Sequence, residues 1–311
     1  MLVLSEAEVR SLLEVDRLME RVSDALIAVS RGDVSVPPRV AATVPDRGFT
    51  AAMPGYVNGV LETKLVSMFP GNERRGLPSH QAVIVAFDPE TGTPLALMDA
   101  TWITACRTAA TTALATRALT RPGAEILAVI GTGVQARSHL SILPHGHHFR
   151  EIRVAGRTPA RVEAIAQETG ATPCATIADA VRGADVVSLC TNASKPVIER
   201  RWLAAGTHVN SIGYNENGGE LDEATIRDGR LVVESRVAFE PLPAGAWELQ
   251  GLDPSDAVEL GEILGGNRRG RTSTEQITVY KSMGHAAEDA AAAGLVLERA
   301  REIGAGASVE L

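Results

Sequence analysis

Two features of the sequence could do chemistry. The first is Gly131-Thr132-Gly133-Val134-Gln135-Ala136, which directly follows the apolar run Ile126 to Ile130 and opens a helical pattern at Gln135. In a strand–turn–helix setting, Gly131 permits the tight turn and Gly133 lets a pyrophosphate approach the backbone. Ala136 is the small residue that lets helix and strand pack closely. The N–H groups at the helix start add partial positive charge for the phosphates. The next strand, Arg153-Val154-Ala155-Gly156, ends in Arg157-Thr158 with no acidic residue at its tip. An acidic side chain there would hold the ribose hydroxyls of NAD, whereas an arginine pairs with a 2′-phosphate and stacks on adenine. The expected cofactor is NADP(H), with NAD(H) as the alternative. The second feature is Lys64, inside the apolar run Leu61 to Met68. A lysine there is costly unless paired, and partial desolvation lowers its pKa, which suits it to proton transfer.

The elements that must position these residues divide into two patterns. From Thr50 to Met98, short apolar runs (Leu61 to Met68, Gln81 to Phe87, Leu95 to Met98) are separated by Pro70-Gly71-Asn72 and by Asp88-Pro89-Glu90-Thr91-Gly92. This reads as strands joined by turns. Ser5-Glu6-Ala7-Glu8 predicts a capping box and helix start, Val22 to Val29 continues helical, and Ala105 to Leu119 predicts a helix ended by Arg121-Pro122-Gly123. Beyond it, Ile126 to Ile130, Ile152 to Ala155, Val186 to Cys190, Val209 to Ile212 and Leu231 to Glu234 are continuous apolar runs, several of them separated by helical stretches. That pattern predicts a parallel sheet with helices packed on it. The expected fold class is α/β: a Rossmann dinucleotide-binding domain over 120–276, and a second α+β domain from 1–119 and 277–311. Its C-terminal helix is Ala-rich, with small residues suited to close packing against a partner helix.

Composition narrows the function further. The chain has 311 residues, 45% hydrophobic and 22% charged, as in ordinary globular proteins. Lys and Arg number 30 against 38 Asp and Glu, a net charge of −8, and aromatics are 4%. This acidic, aromatic-poor chain is expected to bind neither nucleic acid nor an anionic membrane. No apolar run is long enough for a membrane span and no signal peptide is read at the start. Cys106, Cys174 and Cys190 form no CxxC pair, which fits a reducing cytoplasm. His145-Gly146-His147-His148 has no accompanying Cys or carboxylate cluster, so no metal is expected. Asn267-Arg268-Arg269-Gly270-Arg271 reads as a polar connection between domains, and Cys190 as a buried structural thiol.

Five stretches in order resemble the ornithine cyclodeaminase / mu-crystallin family over essentially the whole chain: VPPR ending in Arg39, ETKLVSMFPGN with Lys64, ACRTAATTALA with Arg107, GTGVQA, and ITVYKSMGHAAED. The resemblance implies the two-domain architecture, with 1–119 and 277–311 as the substrate-binding and dimerisation domain of a homodimer, and hydride exchange between a nicotinamide and the α-carbon of an amino acid or its imine. It implies that Arg39, Lys64 and Arg107 bind the substrate carboxylate, a task suited to charge-assisted, bidentate partners. It also places Met53 and Met283 at the substrate, and Ser79, Arg107, Thr108, Thr191 and Ser282 at the cofactor, beside Gly131 to Ala136, Arg157 and Thr158.

Two departures bear on the reaction. Cyclodeaminases of this family carry a glutamate before the Met-Pro of the first strand, where this chain has Ala51 ahead of Met53-Pro54. They also use an aspartate in the loop after the fourth Rossmann strand, where Asn215 aligns here. Asparagine can hydrogen-bond an amine or imine, which makes Asn215 a candidate catalytic residue, but it cannot act as a carboxylate base. The expected function is therefore an NAD(P)H-dependent oxidoreductase that reduces the imine, or oxidises the amine, of a small amino-acid-type substrate. An ornithine cyclodeaminase and a non-catalytic mu-crystallin-like binder are the alternatives.

Overall fold

Strand pairing sorts the chain into two sheets. The computed structural model describes residues 1–310, apart from the Glu73 side chain. One sheet holds β1 (Leu2–Leu4), β2 (Val40–Val44), β3 (Gly48–Val57), β4 (Val60–Met68), β5 (His80–Phe87), β6 (Pro94–Asp99) and β15 (Ala307–Ser308), in the order β15-β1-β6-β5-β4-β3-β2. β2 through β6 form an antiparallel meander, and only β1 and β6 pair in parallel. The other sheet holds β7 (Ile126–Ile130), β8 (Glu151–Ala155), β9 (Thr172–Pro173), β10 (Val186–Leu189), β11 (His208–Ser211), β12 (Arg230–Val233), β13 (Val258–Glu259) and β14 (Thr278–Lys281). It is parallel throughout, in the order β13-β12-β14-β11-β10-β7-β8-β9. Its strand order reverses beside β7, the switch point at which doubly wound sheets bind nucleotides.

The chain forms two compact units, Met1–Arg107 with His285–Leu311 and Thr108–Gly284. In the first, α1 (Glu6–Leu12) begins with the expected capping box, Glu8 N–H donating to Ser5 Oγ and Ser5 N–H to Glu8 Oε2. α2 (Val15–Arg31) turns Leu18, Met19, Val22, Ala25 and Leu26 inward. α9 (Ala286–Ile303) packs on α2 and on β3 and β4, and its small residues are buried there. A Cβ on Gly294 would lie 2.7 Å from Val60 Cγ2, so β4 comes within backbone distance of α9. The small residues of this helix thus serve packing within the unit, not a partner helix as expected from sequence.

In the second unit, α4 (Val134–Gly146), α5 (Pro159–Thr169), α6 (Ile177–Val181), α7 (Glu223–Asp228) and α8 (Leu260–Leu264) accompany the parallel sheet. The unit boundaries differ from the expected 119/120 and 276/277. The first falls within α3 (Thr101–Leu119), whose second half bonds to the parallel sheet. Asn210 of β11 donates to Thr116 Oγ1 at 3.0 Å and to Ser188 Oγ at 3.1 Å, and its Oδ1 accepts from His208 Nε2 at 2.9 Å. Burial lowers the His208 pKa to about 3, so the ring is neutral. The second boundary follows β14, because this strand pairs with β11 and β12 rather than joining the C-terminal segment. Arg271 belongs to this unit too: it donates to the carbonyls of Leu119 and Gly206, so its basic run is not the expected polar connection. No helix of the described residues is long and apolar enough to cross a membrane.

Asn210→Leu removes the amide that satisfies His208, Ser188 and Thr116 together. Each orphaned buried group costs about 1–3 kcal/mol. A clearly lower urea midpoint is expected; an unchanged midpoint would show that this seam is dispensable.

Candidate active site

In the first unit the site is a buried ionic cluster. Alternation along β4 sends Glu62, Lys64 and Val66 to the face covered by α9, and all three are buried. α3 adds Arg107, and the first turn of α9 adds Glu288 and Asp289. Lys64 Nζ lies 2.6 Å from Asp289 Oδ2. Arg107 donates through Nε to Asp289 Oδ1 at 3.0 Å and through Nη1 to Glu288 Oε2 at 2.6 Å. Asp289 therefore bridges the two cations.

Burial is the largest influence on these groups. It lowers the Lys64 pKa to about 8 despite the Asp289 charge. It opposes ionisation of Asp289, but Arg107 and Lys64 together outweigh it and hold that carboxyl below its ordinary value. It pushes Glu62, with help from the Asp289 charge, up to about 9. His80, at the start of β5, is brought down to about 4 by burial and by the charges of Lys64 and Arg107, and is neutral at pH 7. Arg39 is half-buried, and its charge also acts on Lys64. Met53 is buried directly opposite Lys64 on β3, and Ser79 is half-buried just before His80. Lys64, Arg107, Arg39 and Met53 thus share one neighbourhood. Glu62, His80, Glu288 and Asp289 were not foreseen there.

In the second unit, β7 leads into a turn that fits a dinucleotide. Gly131 has φ +133°, and a Cβ there would stand 2.4 Å from the Cys190 carbonyl oxygen, so only glycine fits. A Cβ on Gly133 would meet nothing within 4 Å, which leaves its backbone approachable. Gly133 caps α4 without a side-chain hydrogen bond, so the N–H groups of the first turn are free of a competing side-chain cap. Thr132 and Val134 flank the turn; Ala136 is fully buried against the sheet. β8 is followed by Gly156 and an exposed Arg157, and Thr158 stands at the N-cap position of α5 without a side-chain cap hydrogen bond.

Buried charges also shape the loops at the ends of the neighbouring strands. Glu220 accepts from Thr191 N at 2.6 Å, Thr191 Oγ1 at 2.7 Å and Gly213 N at 2.7 Å. Glu234 accepts from Ser282 Oγ at 2.7 Å and from the N–H groups of Met283 and Gly284. Lys281 donates to the Gly213 carbonyl at 2.6 Å and pairs with Glu248. Asn215 Nδ2 donates to the Asn192 carbonyl while its Oδ1 accepts from Asn217 N, so it braces two loops. Cys190 is a buried thiol with its pKa raised by burial. No group of His, Cys, Asp and Glu suited to a metal ion occurs among the described residues.

A doubly wound sheet with this turn and a separate unit holding buried cations defines a nicotinamide-dinucleotide oxidoreductase. The ornithine cyclodeaminase/mu-crystallin family matches residues 1–304, and the chain belongs to that family. Mouse ketimine reductase mu-crystallin is 38% identical over 305 residues, covering 95% of this chain and 96% of the mouse protein. The structure of Thermococcus litoralis Δ1-pyrroline-2-carboxylate reductase in complex with NADH and L-proline superposes with a TM-score of 0.92 at 34% identity, covering 99% of this chain and 100% of that one. An archaeal alanine dehydrogenase dimer with bound NAD has a TM-score of 0.90 at 30% identity, covering 100% and 99%.

Asp289→Asn leaves Lys64 and Arg107 without their shared counter-charge, and breaking a buried pair in this way costs about 3–5 kcal/mol. The folded-state pKa of Asp289 lies below its ordinary 3.8, so its contribution is present above pH 3.8 and lost as pH falls through the lowered value. Urea unfolding is expected to show a large gap between wild type and variant at pH 7 that narrows below pH 3.8. A gap independent of pH would contradict the ionic role.

Proposed function

We propose that the protein is an NAD(P)H-dependent reductase of small imines bearing an α-carboxylate, with cyclic ketimines such as five- and six-membered imino acids as the first candidates. The observation that carries this reading is the pairing of Lys64 and Arg107, fixed by Asp289 and Glu288 beneath an apolar sheet face. Preorganised cations in a low-dielectric setting bind a carboxylate strongly, and Arg39 adds a third positive charge nearby. A bound reduced nicotinamide supplies the hydride. Reduction leaves the substrate nitrogen needing one proton, and Lys64, with its pKa brought to about 8, can release one near neutral pH. Asn215 stays outside this proton path, since its amide is engaged between loops. The similarity to a mouse ketimine reductase and to a pyrroline-2-carboxylate reductase solved with L-proline supports the same substrate class.

Cyclodeamination fits less well. It requires a base for the substrate ammonium and a carboxylate for the second amine, and Ala51 and Asn215 stand where those acidic groups would be. A binding-only role, as in a mu-crystallin-like ligand carrier, would leave the proton-releasing lysine without a task.

For the cofactor, the exposed Arg157 at the tip of β8 favours NADP(H), through its fit to a 2′-phosphate. For assembly, Val40, Ala52, Leu65 and Val83 form one row across β2, β3, β4 and β5 on the face opposite α9. Val40, Leu65 and Val83 are exposed, an apolar stripe suited to the same face of a second copy. The free cysteines fit a reducing compartment such as the cytoplasm.

Wild-type protein is expected to consume NADPH stoichiometrically with a cyclic imino acid, and Lys64→Met to abolish turnover while retaining NADPH binding. Retained activity would remove Lys64 from the mechanism. Arg157→Asp should shift cofactor preference toward NADH; an unchanged NADPH/NADH ratio would refute the assignment of that strand tip.

A further inference from the structure

Glu220 belongs to the unit built on the parallel sheet. It is 1% exposed, and its carboxyl collects four donors from the ends of two neighbouring strands. Oε1 accepts from Thr191 N at 2.6 Å and from Thr191 Oγ1 at 2.7 Å, just beyond β10. Oε2 accepts from Gly213 N at 2.7 Å, just beyond β11, and from Ser211 Oγ at 3.2 Å, the last residue of β11. The two loops also touch each other. A Cβ on Gly213 would stand 2.2 Å from the Thr191 carbonyl oxygen and 2.5 Å from Glu220 Cδ, so only glycine fits there.

Glu220 is held in turn. Its own N–H donates to Glu248 Oε1 at 3.0 Å, and Lys281 Nζ lies 3.2 Å from the same oxygen. Lys281 Nζ also donates to the Gly213 carbonyl at 2.6 Å. Glu220, Gly213, Lys281 and Glu248 thus close a ring of bonds. Burying such polar groups is costlier than apolar packing. The hydrogen bonds to the Glu220 carboxyl secure positions 191, 211 and 213, all at the ends of β10 and β11. The turn at Gly131 makes none of them; its N–H donates to the Ala155 carbonyl.

β10 and β11 lie on one side of β7, and β8 lies on the other. In a doubly wound sheet the strand tip on the β8 side meets the adenosine ribose, and the helix after the glycine turn meets the pyrophosphate. The other half of a dinucleotide crosses the switch point toward β10 and β11. We propose that Glu220 is a positioning residue for the nicotinamide half of the cofactor: by clamping Thr191 and Gly213 it fixes the backbone beside which the nicotinamide riboside binds, and it leaves the adenosine half untouched. The role requires dinucleotide binding but no imine, so it stands or falls separately from the substrate class proposed above.

Calorimetric titration of the full chain with NADPH and with 2′-phospho-ADP, which lacks the nicotinamide riboside, separates the two halves. NADH and ADP serve in the same way if NADH binds more tightly. Glu220→Gln keeps the volume but turns an amide donor toward one pair of the existing donors. It is expected to weaken the whole dinucleotide about tenfold or more while the fragment keeps its wild-type affinity. Ser211→Ala removes one of the four donors, and Ser211 is fully buried, so it cannot itself touch the cofactor. This variant should change the same ratio in the same direction by less, and it replaces the glutamine variant if that fails to fold. Equal losses for dinucleotide and fragment would make Glu220 a general strut of the domain and overturn the proposal, as would unchanged affinity for both.

Discussion

The two carboxylate oxygens of Asp289 hold the first unit of this protein in order. One sits 2.6 Å from Lys64 and the other accepts from Arg107 at 3.0 Å, all in a region from which water is excluded. Lysine and arginine buried under a sheet would each carry a large desolvation cost if left alone. The counter-charge must be fixed in place, which explains why α9 packs so closely on β3 and β4 through alanine and glycine. The helix brings its first-turn carboxylates to the cations, and bulkier residues would hold them away.

The nucleotide half rests on the same device in another form. Glu220, Glu234 and Lys281 are buried charges whose partners are mostly backbone groups of the loops following β10, β11 and β14. Burial raises the pKa of Glu220, and the pull of Lys281 and its N–H donors works against that rise. Loops at strand ends are ordinarily the mobile parts of a fold. Here each is tied by hydrogen bonds to a buried side chain beneath it, so Thr191 and Ser282 are held in place. Gly131, wedged against the Cys190 carbonyl, completes that rigid rim.

How much of this is legible in the sequence depends on the range of the interaction. The turn at Gly131 to Ala136 and its flanking strand and helix are local, and spacing alone reveals them. The capping box at Ser5 and Glu8 is equally local. β14 is not: Ile277 to Tyr280 is short and adjoins a long helix, and only pairing with β11 and β12 assigns it to the parallel sheet. The boundary inside α3 escapes for the same reason, since Thr116 accepts from Asn210, a strand residue far along the chain. Glu288 and Asp289 look like ordinary acidic residues at a helix start, where the dipole alone would justify them. Glu62 did offer a signal, an acidic residue spaced two from Lys64 in an apolar strand, which places both on one face.

In the proposed reaction the buried cations Lys64 and Arg107 recognise the carboxylate of the substrate. This recognition is tested most directly by comparing two substrates that differ only there, Δ1-pyrroline-2-carboxylate and the same ring without its carboxylate. Loss of a buried charge pair is worth about 2–5 kcal/mol, so kcat/KM is predicted to be at least about thirtyfold higher for the carboxylated imine. Equal kcat/KM for the two rings would contradict the account.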